Sequence, residues 1–243
     1  MTLSHNNKFK LLIYFLFFLF LTNLPGISHP FKVGEKLVYN VKLLGLSIGR
    51  QTLDVRNITE VNGYPSYLFT SYTKGSKFLS LFFNLEDEIL SFADLKTLYP
   101  RMVRMNIHEG SRQRKINILI DLGNKMATFK NIKEDKEQKK KISYPFLDML
   151  SLVYWLRDQQ LTVGKVFSIL LVDSYGFKKI RIEVTGIEKV YTYKGVYNAL
   201  VCKEITDKAS IKMWFSTDDR HLPLQIQVST PLGFLIAILK EIH

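Results

Sequence analysis

Cysteine is almost absent from this chain of 243 residues, in which Cys202 is the only one. A single cysteine excludes an intramolecular disulfide, and it excludes zinc ribbons and thiol–disulfide exchange, which need several cysteines. The surrounding VYNALVCKEI is typical of a strand, so we interpret Cys202 as a small apolar filler of the core. The chain is long enough to bury a core without a disulfide.

Several signatures of ligand chemistry are also missing. No glycine-rich phosphate loop, dinucleotide fingerprint or nucleic-acid-binding motif occurs. Beyond residue 28 the histidines are His29, His108, His221 and His243, and none forms a pair spaced for a zinc site on a helix. The sequence therefore predicts no cofactor, no metal and no nucleic-acid partner.

The chain begins with a segment typical of export. Lysines precede an apolar run at 11–21, and the small residues Gly26 and Ser28 stand just before the bond between Ser28 and His29. This order predicts a signal peptide at 1–28 that is cleaved at that bond. An uncleaved N-terminal anchor is the alternative, although the run is shorter than the roughly 20 apolar residues that span a bilayer. We therefore expect an exported protein in the periplasm of a Gram-negative bacterium.

The mature chain is basic. The formal net charge of +12 falls to +10 without residues 1–28, because that segment contains two lysines and no acid. Outside the cytosol such a charge suits phospholipid headgroups or acidic envelope polymers. Solubility alone explains the charge equally well.

From Phe31 onward, short alternating or β-branched segments are separated by turns such as 61–64 and 121–124. The pattern predicts a mainly β protein, with an antiparallel curved sheet or partly closed barrel in a single domain at 29–243. Apolar residues with helical spacing predict one clear helix over 145–157.

The sheet is expected to be built from two similar halves, about 31–130 and 145–243. The residues Val-Gly at 33–34 recur at 163–164, and an aspartate followed by a proline-containing strand start occurs once in each half. An internal duplication explains this recurrence, with chance similarity among turns as the alternative.

Two segments depart from the strand pattern. The segment 131–142, NIKEDKEQKKKI, contains five lysines and three acids and is predicted to be a solvated loop, with a polyanion-binding patch as the alternative. The segment 76–84, SKFLSLFFN, has bulky apolar residues at most positions. We expect it either to close the core or to form an apolar lip at an opening.

Residues 45–49, GLSIG, fit the G-x-S-x-G pattern of a serine nucleophile. That motif needs a helix after the serine, whereas RQTLDVRNITEV has strand character, so Ser47 is interpreted as part of a hairpin turn. The carboxylates Asp87, Glu109 and Asp218 are candidates for acid–base chemistry only if they meet in one cleft.

Three stretches carry a resemblance to a known family. They are PFKVGEKLVYNVKLLGLSIGRQTLDV at 30–55, FLDMLSLVYWLRDQQLTVGKVF at 146–167 and MWFSTDDRHLPLQIQV at 213–228. Together they resemble the exported bacterial family called domain of unknown function 3108. The resemblance implies an envelope protein with a β-rich, partly closed barrel, similar in outline to the half-barrels that carry lipids or lipoproteins across the periplasm. It implies no catalytic residue.

The leading hypothesis is a non-enzymatic carrier of an apolar or amphipathic envelope ligand, such as a lipid. The alternative is a scaffold or interaction module that binds envelope proteins or cell-wall polymer, and this alternative predicts a filled interior. A hydrolase that uses the carboxylates above ranks third.

Overall fold

The computed structural model describes residues 28–81, 83–143, 146–173, 176–206 and 211–243. The predicted signal peptide therefore lies outside the described residues, apart from Ser28. The strands are β1 Lys36–Leu43, β2 Leu46–Val61, β3 Tyr64–Gly75, β4 Leu85–Asp94, β5 Pro100–Glu109, β6 Arg112–Asp121, β7 Met126–Asn131, β8 Lys136–Lys141, β9 Phe146–Asp148, β10 Val166–Asp173, β11 Gly176–Thr192, β12 Gly195–Glu204, β13 Ile211–Ser216, β14 Pro223–Thr230 and β15 Gly233–Ile242. The helix α1 is Met149–Arg157, and a 3₁₀ turn spans Leu79–Leu81.

All of these strands belong to one sheet of 15 strands. Apart from β8 and β9, strands that follow one another in the sequence pair with one another. Strand β1 also pairs with β15, so that the two halves meet in the middle of the sheet. The pairing is antiparallel except where β9 lies parallel to β10. Strands β8 and β9 form the two edges, so the sheet is curved but not closed. The prediction of a mainly β, antiparallel curved sheet is confirmed.

The same backbone arrangement occurs once in each half. The Gly34 N–H donates to Val55 O at 2.7 Å, and the Gly164 N–H donates to Val184 O at 2.8 Å. A β-bulge follows Val55 in β2 and Val184 in β11. Because bulges bend a strand and increase its twist, both long hairpins curl away from their starting direction. The common ancestry of the two halves stays a prediction.

The helix begins later than predicted. Residues 146–148 form the short strand β9, and the backbone of Asp148 is still extended. The Asp148 carboxylate accepts the N–H groups of Leu150 and Ser151 at 2.9 and 3.2 Å, which makes it the N-cap. The predicted start at residue 145 is therefore wrong, because the capping aspartate ends the extended segment three residues further on.

The prediction of a loop at 131–142 is also wrong. Asn131 ends β7, and Lys136–Lys141 forms β8, which pairs with β7 and lies at the edge of the sheet. An edge strand forms backbone hydrogen bonds to one neighbouring strand only. The side chains of β8 are mostly exposed, so the strand needs no apolar residues. Lysines on such an edge oppose pairing with another chain.

The core lies inside the curve of the sheet, where α1 packs against both halves. Leu152, Val153 and Leu156 of α1 share one cluster of buried residues with Leu37 of β1 and Leu224 of β14. A helix that is apolar on nearly all sides is stable only when it is enclosed, as α1 is. No helix in the part of the chain that the structure describes has the length and apolar character of a membrane span.

The two ends of the sheet differ. The closed end is the one where β1 begins and where the last residue of α1 lies. The opposite end, which carries the β1–β2, β5–β6 and β14–β15 turns and the 3₁₀ turn, we call the open end.

Candidate functional site

Along β14 and β15, burial of the inward-facing side chains decreases towards the open end. In β14, Leu224 is fully buried, Ile226 is nearly so and Val228 is partly exposed. In β15, which runs the other way, Leu239 is fully buried while Leu235 is partly exposed. On these two strands the interior is packed at the closed end and accessible at the open end, whereas Ile107 of β5 and Ile211 of β13, which also lie towards the open end, are buried.

The position of α1 explains this gradient. The Ser91 hydroxyl, in the middle of β4, donates to the Asp148 carboxylate at the start of the helix at 2.6 Å. From that point α1 runs towards the closed end, where its last residue, Arg157, contacts Glu35. Among the residues that the structure describes, no helix therefore fills the half of the interior nearest the open end.

The inner wall near the open end is mixed in polarity. Thr73 of β3 lies opposite Asp87 of β4, and the Gln51 amide donates to the Ser71 hydroxyl at 3.1 Å. Apolar side chains such as Ile89 lie on the same face. This wall offers hydrogen-bonding groups beside apolar surface.

The most perturbed acid on this wall is Asp87. Partial burial, with a smaller contribution from the nearby Glu109 charge, raises the pKa of Asp87 to about 6, although the His108 N–H donates to its carboxylate at 2.9 Å. The Arg114 guanidinium lies 3.4 Å from Glu109. The structure thus brings Asp87 and Glu109 together.

The third candidate carboxylate lies elsewhere. Asp218 is in the β13–β14 connection at the closed end, where it accepts from Ser216 at 2.6 Å and pairs with Arg220 at 2.9 Å. These contacts explain Asp218 as part of a turn. In the described residues, no group of three His, Cys, Asp or Glu side chains is placed to hold a metal ion.

The surroundings of Ser47 and Cys202 indicate structural and not catalytic roles. Ser47 lies at the start of β2 and donates to Asn40 at 2.6 Å, and Asn40 in turn donates to the Tyr193 hydroxyl at 2.8 Å. A strand, and not a helix, follows Ser47, so no nucleophile elbow is formed. Burial raises the pKa of the Cys202 thiol to about 12, which keeps this buried side chain protonated.

Exposed apolar side chains lie along the part of the open end that the β1–β2, β3–β4 and β14–β15 connections form, and we call this set the apolar rim. Each is between 52% and 76% exposed. The apolar rim consists of Leu44, Leu46, Phe78, Leu81, Leu232 and Phe234. Of the two expectations for the segment 76–84, the apolar lip is the one that the structure shows, with Phe82 outside the described residues.

The parts of the apolar rim adjoin one another. The turn of Leu44 lies beside the β14–β15 turn, because a Cβ on Gly233 would stand 3.1 Å from a Leu44 methyl group. The Ser76 N–H donates to Ile48 O at 2.7 Å, which joins the segment 76–84 to β2. The apolar rim is therefore one surface carried by neighbouring strands.

A basic surface lies on the outer face of the sheet just below the apolar rim, and we call it the basic flank. It lines a depression of about 460 Å³ with Arg50, Lys74 and Lys240. Two acids offset part of this charge, since Lys74 lies 3.9 Å from Glu86 and Lys240 lies 3.3 Å from Glu241. The charged side chains that line the depression itself are all positive.

At the closed end a buried ion pair joins several elements of the fold. The Arg157 side chain is fully buried and pairs with Glu35, with one nitrogen–oxygen distance of 3.0 Å. Arg157 also donates to Pro30 O at 3.1 Å and to Arg220 O at 3.2 Å. One side chain thus ties together the N-terminal segment, the helix and the β13–β14 connection.

His29, the predicted first residue of the mature chain, also packs into the closed end. Its ring nitrogens lie 2.8 Å from an Asp158 carboxylate oxygen and 2.7 Å from Leu95 O. The ring stacks on Phe31 with centroids 5.1 Å apart. Ser28 is exposed. Cleavage between Ser28 and His29 stays a prediction.

Two solved structures resemble this fold. The crystal structure of a β-barrel-like protein of domain of unknown function DUF1849 from Brucella abortus has a TM-score of 0.56 and 11% sequence identity, covering 86% of this chain and 97% of that chain. A protein with a YmcC-like fold from Bacteroides fragilis has a TM-score of 0.33 and 11% identity, covering 88% of this chain and 98% of that one. The first likeness shows the fold alone, and the second is too weak to support an argument.

Comparison at the level of sequence gives a family and no curated relative. No curated protein matches the chain at a significant level. Residues 38–240, from β1 to β15, match the family described as Protein of unknown function (DUF3108). The resemblance carried by the three sequence stretches is thus confirmed, and the chain belongs to the DUF3108 family.

Proposed function

We propose that this protein is a non-enzymatic carrier of an amphipathic, lipid-like ligand of the bacterial envelope, and that the apolar part of the ligand enters the interior through the open end. One observation carries the proposal: the inward-facing apolar side chains of β14 and β15 become accessible at the end of the sheet that carries the apolar rim. The predicted signal peptide and the basic mature charge support a place in the periplasm.

The binding energy would come from covering apolar surface. Ile48, Ile89, Val228 and Leu235 are partly buried side chains that pack against the core and border the accessible half of the interior. Burial is worth about 25 cal/mol per Å², so covering about 200 Å² of apolar surface gives about 5 kcal/mol before the costs of association. An alkyl chain of moderate length supplies that area.

The polar groups of the same wall favour an amphipathic ligand over a purely apolar one. Gln51, Thr73 and Asp87 lie close to the apolar side chains, and an alkyl ligand that covered them without bonding to them would pay a desolvation cost. A ligand with a hydroxyl, ester or amine group near its chain would satisfy them.

Titration of the delipidated mature chain with a fluorescent fatty-acid analogue tests the proposal. Val228→Trp narrows the open half of the interior, whereas Gln227→Trp, on the opposite face of the same strand, is the matched control. We expect saturable binding that is at least tenfold weaker in Val228→Trp and within twofold of wild type in Gln227→Trp. Absence of saturable binding by the wild type would refute the proposal.

A scaffold that binds envelope proteins or cell-wall polymer is the second candidate. The observation in its favour is α1, which fills the closed half of the interior. A scaffold needs no open half, so under this candidate Val228→Trp leaves the binding of partner proteins unchanged. The fatty-acid titration separates the two candidates.

A further inference from the structure

We propose that the open end docks onto an anionic phospholipid membrane, with the apolar rim entering the interfacial region and the basic flank lying against the headgroups. The proposal concerns an outer surface and does not depend on whether the interior holds a lipid. It would orient the protein with its opening towards the bilayer.

The first support is the position of the apolar rim. Leu44 and Leu232 lie in the hairpin turns themselves, and Phe78 and Leu81 lie in the β3–β4 connection, so these exposed side chains lie beyond the ends of the strands. Large apolar side chains grouped at one end of a soluble protein mark a surface that is covered in use. Leucine and phenylalanine are typical of segments that insert shallowly into the boundary between headgroups and acyl chains.

The second support is the charge beside the apolar rim. Arg50, Lys74 and Lys240 line one depression on the outer face together with Ser47 and Ser76, which lie beside the apolar rim. Lys77 lies within the segment that carries Phe78 and Leu81. Glu86, Glu241 and Glu88, which acts on Tyr72 in the same depression, offset part of this charge, whereas the side chains that line the depression itself include three cations and no acid. Each basic side chain near an anionic membrane surface contributes favourably to binding.

The shape of the surface favours a bilayer over a protein as the partner. The apolar side chains stand on separate turns, and hydrophilic residues such as Ser47, Ser76 and Lys77 lie between them. A protein partner would need a surface of complementary shape at each separate turn to pack closely against all of them. A fluid lipid interface adapts to separate insertions, and its headgroups solvate the hydrophilic residues between them.

A fluorescent label on the apolar rim tests insertion directly. Cys202 is buried, so a single introduced cysteine is labelled selectively. We expect an environment-sensitive label at Leu81→Cys to shift to shorter wavelength with vesicles of equal parts phosphatidylglycerol and phosphatidylcholine. The same label at Val163→Cys, which replaces an exposed residue at the closed end, is expected not to shift. Equal shifts at both positions, or none at Leu81→Cys, would overturn the proposal.

Charge reversal tests the basic flank. Arg50→Glu, Lys74→Glu and Lys240→Glu combined are expected to weaken sedimentation with anionic vesicles at least tenfold. Lys96→Glu, Lys125→Glu and Lys165→Glu combined change the net charge equally at the closed end and are expected to have less than a twofold effect. Equal loss in both variants would mean attraction by net charge alone and would contradict docking by this face.

Further measurements guard against misfolding and test for other partners. Unfolding midpoints of the variants verify the fold, and binding of the wild type is expected to fall with added salt. Leu81→Ser combined with Leu232→Ser is expected to lose vesicle binding, whereas Val33→Ser combined with Val163→Ser retains it. Equal binding of the wild type to neutral and anionic vesicles would overturn the proposal. A dimer in solution that disappears in the Leu81→Ser, Leu232→Ser variant would also overturn it, because a second copy of the chain would then cover the apolar rim.

Discussion

The closed end and the open end of this molecule use the same kind of strands for different purposes. At the closed end, α1, the buried Arg157–Glu35 pair and the stacked ring of His29 leave little accessible interior. At the open end, inward-facing apolar residues are partly exposed and the turns carry the apolar rim. The stability of the fold is therefore expected to depend mainly on the closed end, and binding on the open end.

The largest effect is expected from the buried ion pair. Glu35→Gln removes the charge that compensates Arg157, and a single buried partner left uncompensated costs about 3–5 kcal/mol of unfolding free energy. Urea unfolding measures the difference. Glu86→Gln, which affects an exposed pair with Lys74 at the open end, is the control and is expected to cost less than about 1 kcal/mol. Equal costs at the two sites would abolish the contrast between the ends.

Loss of the helix cap is expected to come next. Asp148→Ala removes the acceptor of two helical N–H groups and of the Ser91 hydroxyl, all of them buried. The combined loss of cap and buried hydrogen bond is expected to cost about 2–4 kcal/mol. Asp148→Asn retains one acceptor oxygen and is expected to recover part of this loss in thermal unfolding. A cost below that of Glu86→Gln would mean that α1 does not anchor the closed end.

A smaller, pH-dependent effect is expected at Asp87. The pKa of Asp87 is about 6 in the folded state, which is above its value in the unfolded state. Between about pH 4 and 6 the folded state therefore binds more protons than the unfolded state, and the unfolding free energy falls as the pH rises through that window. Asp87→Asn keeps the acceptor for the His108 N–H and removes the charge. After allowance for solvent screening, we expect it to raise the unfolding free energy at pH 7.5 by less than about 2 kcal/mol.

The pH dependence provides the control for this substitution. At pH 4 most Asp87 carboxyls are protonated in the folded protein, so the stabilisation by Asp87→Asn is expected to be much smaller there. A stabilisation that is the same at pH 4 and pH 7.5 would show that the charge of Asp87 is not its cause.

The smallest effect on stability is expected at the apolar rim. Leu81→Ser and Leu232→Ser replace side chains that are 73% and 69% exposed, so each is expected to change the unfolding free energy by no more than about 0.5 kcal/mol. A loss of several kcal/mol in urea unfolding would show instead that these residues belong to the core.

Much of the fold was predictable because strands and turns are encoded locally. Alternating residues indicated the strands, and the turns at 61–64 and 121–124 do join neighbouring strands. The strand β8 escaped prediction because its lysines show no alternation, and its formation depends on the neighbouring β7. The helix start was misplaced because a short parallel strand depends on a distant partner, β10.

The candidate site was less predictable, because it depends on which neighbours a segment acquires. The bulky residues of 76–84 are equally compatible with a core and with an exposed surface, and only the surrounding sheet decides between them. The proximity of Asp87 and Glu109 follows from the pairing register of β4 with β5, which composition does not reveal. No sequence motif marked the basic flank, whose three cations come from different strands.

Native mass spectrometry of residues 29–243 tests the role of the open interior most directly. Wild type, Val228→Trp and Gln227→Trp would each be purified without detergent from the periplasm of a Gram-negative host. We predict a bound mass, identified as lipid after solvent extraction, in the wild type and in Gln227→Trp, and its loss in Val228→Trp. A ligand-free mass in all three, persisting after incubation with envelope lipids, would contradict the proposed carrier function.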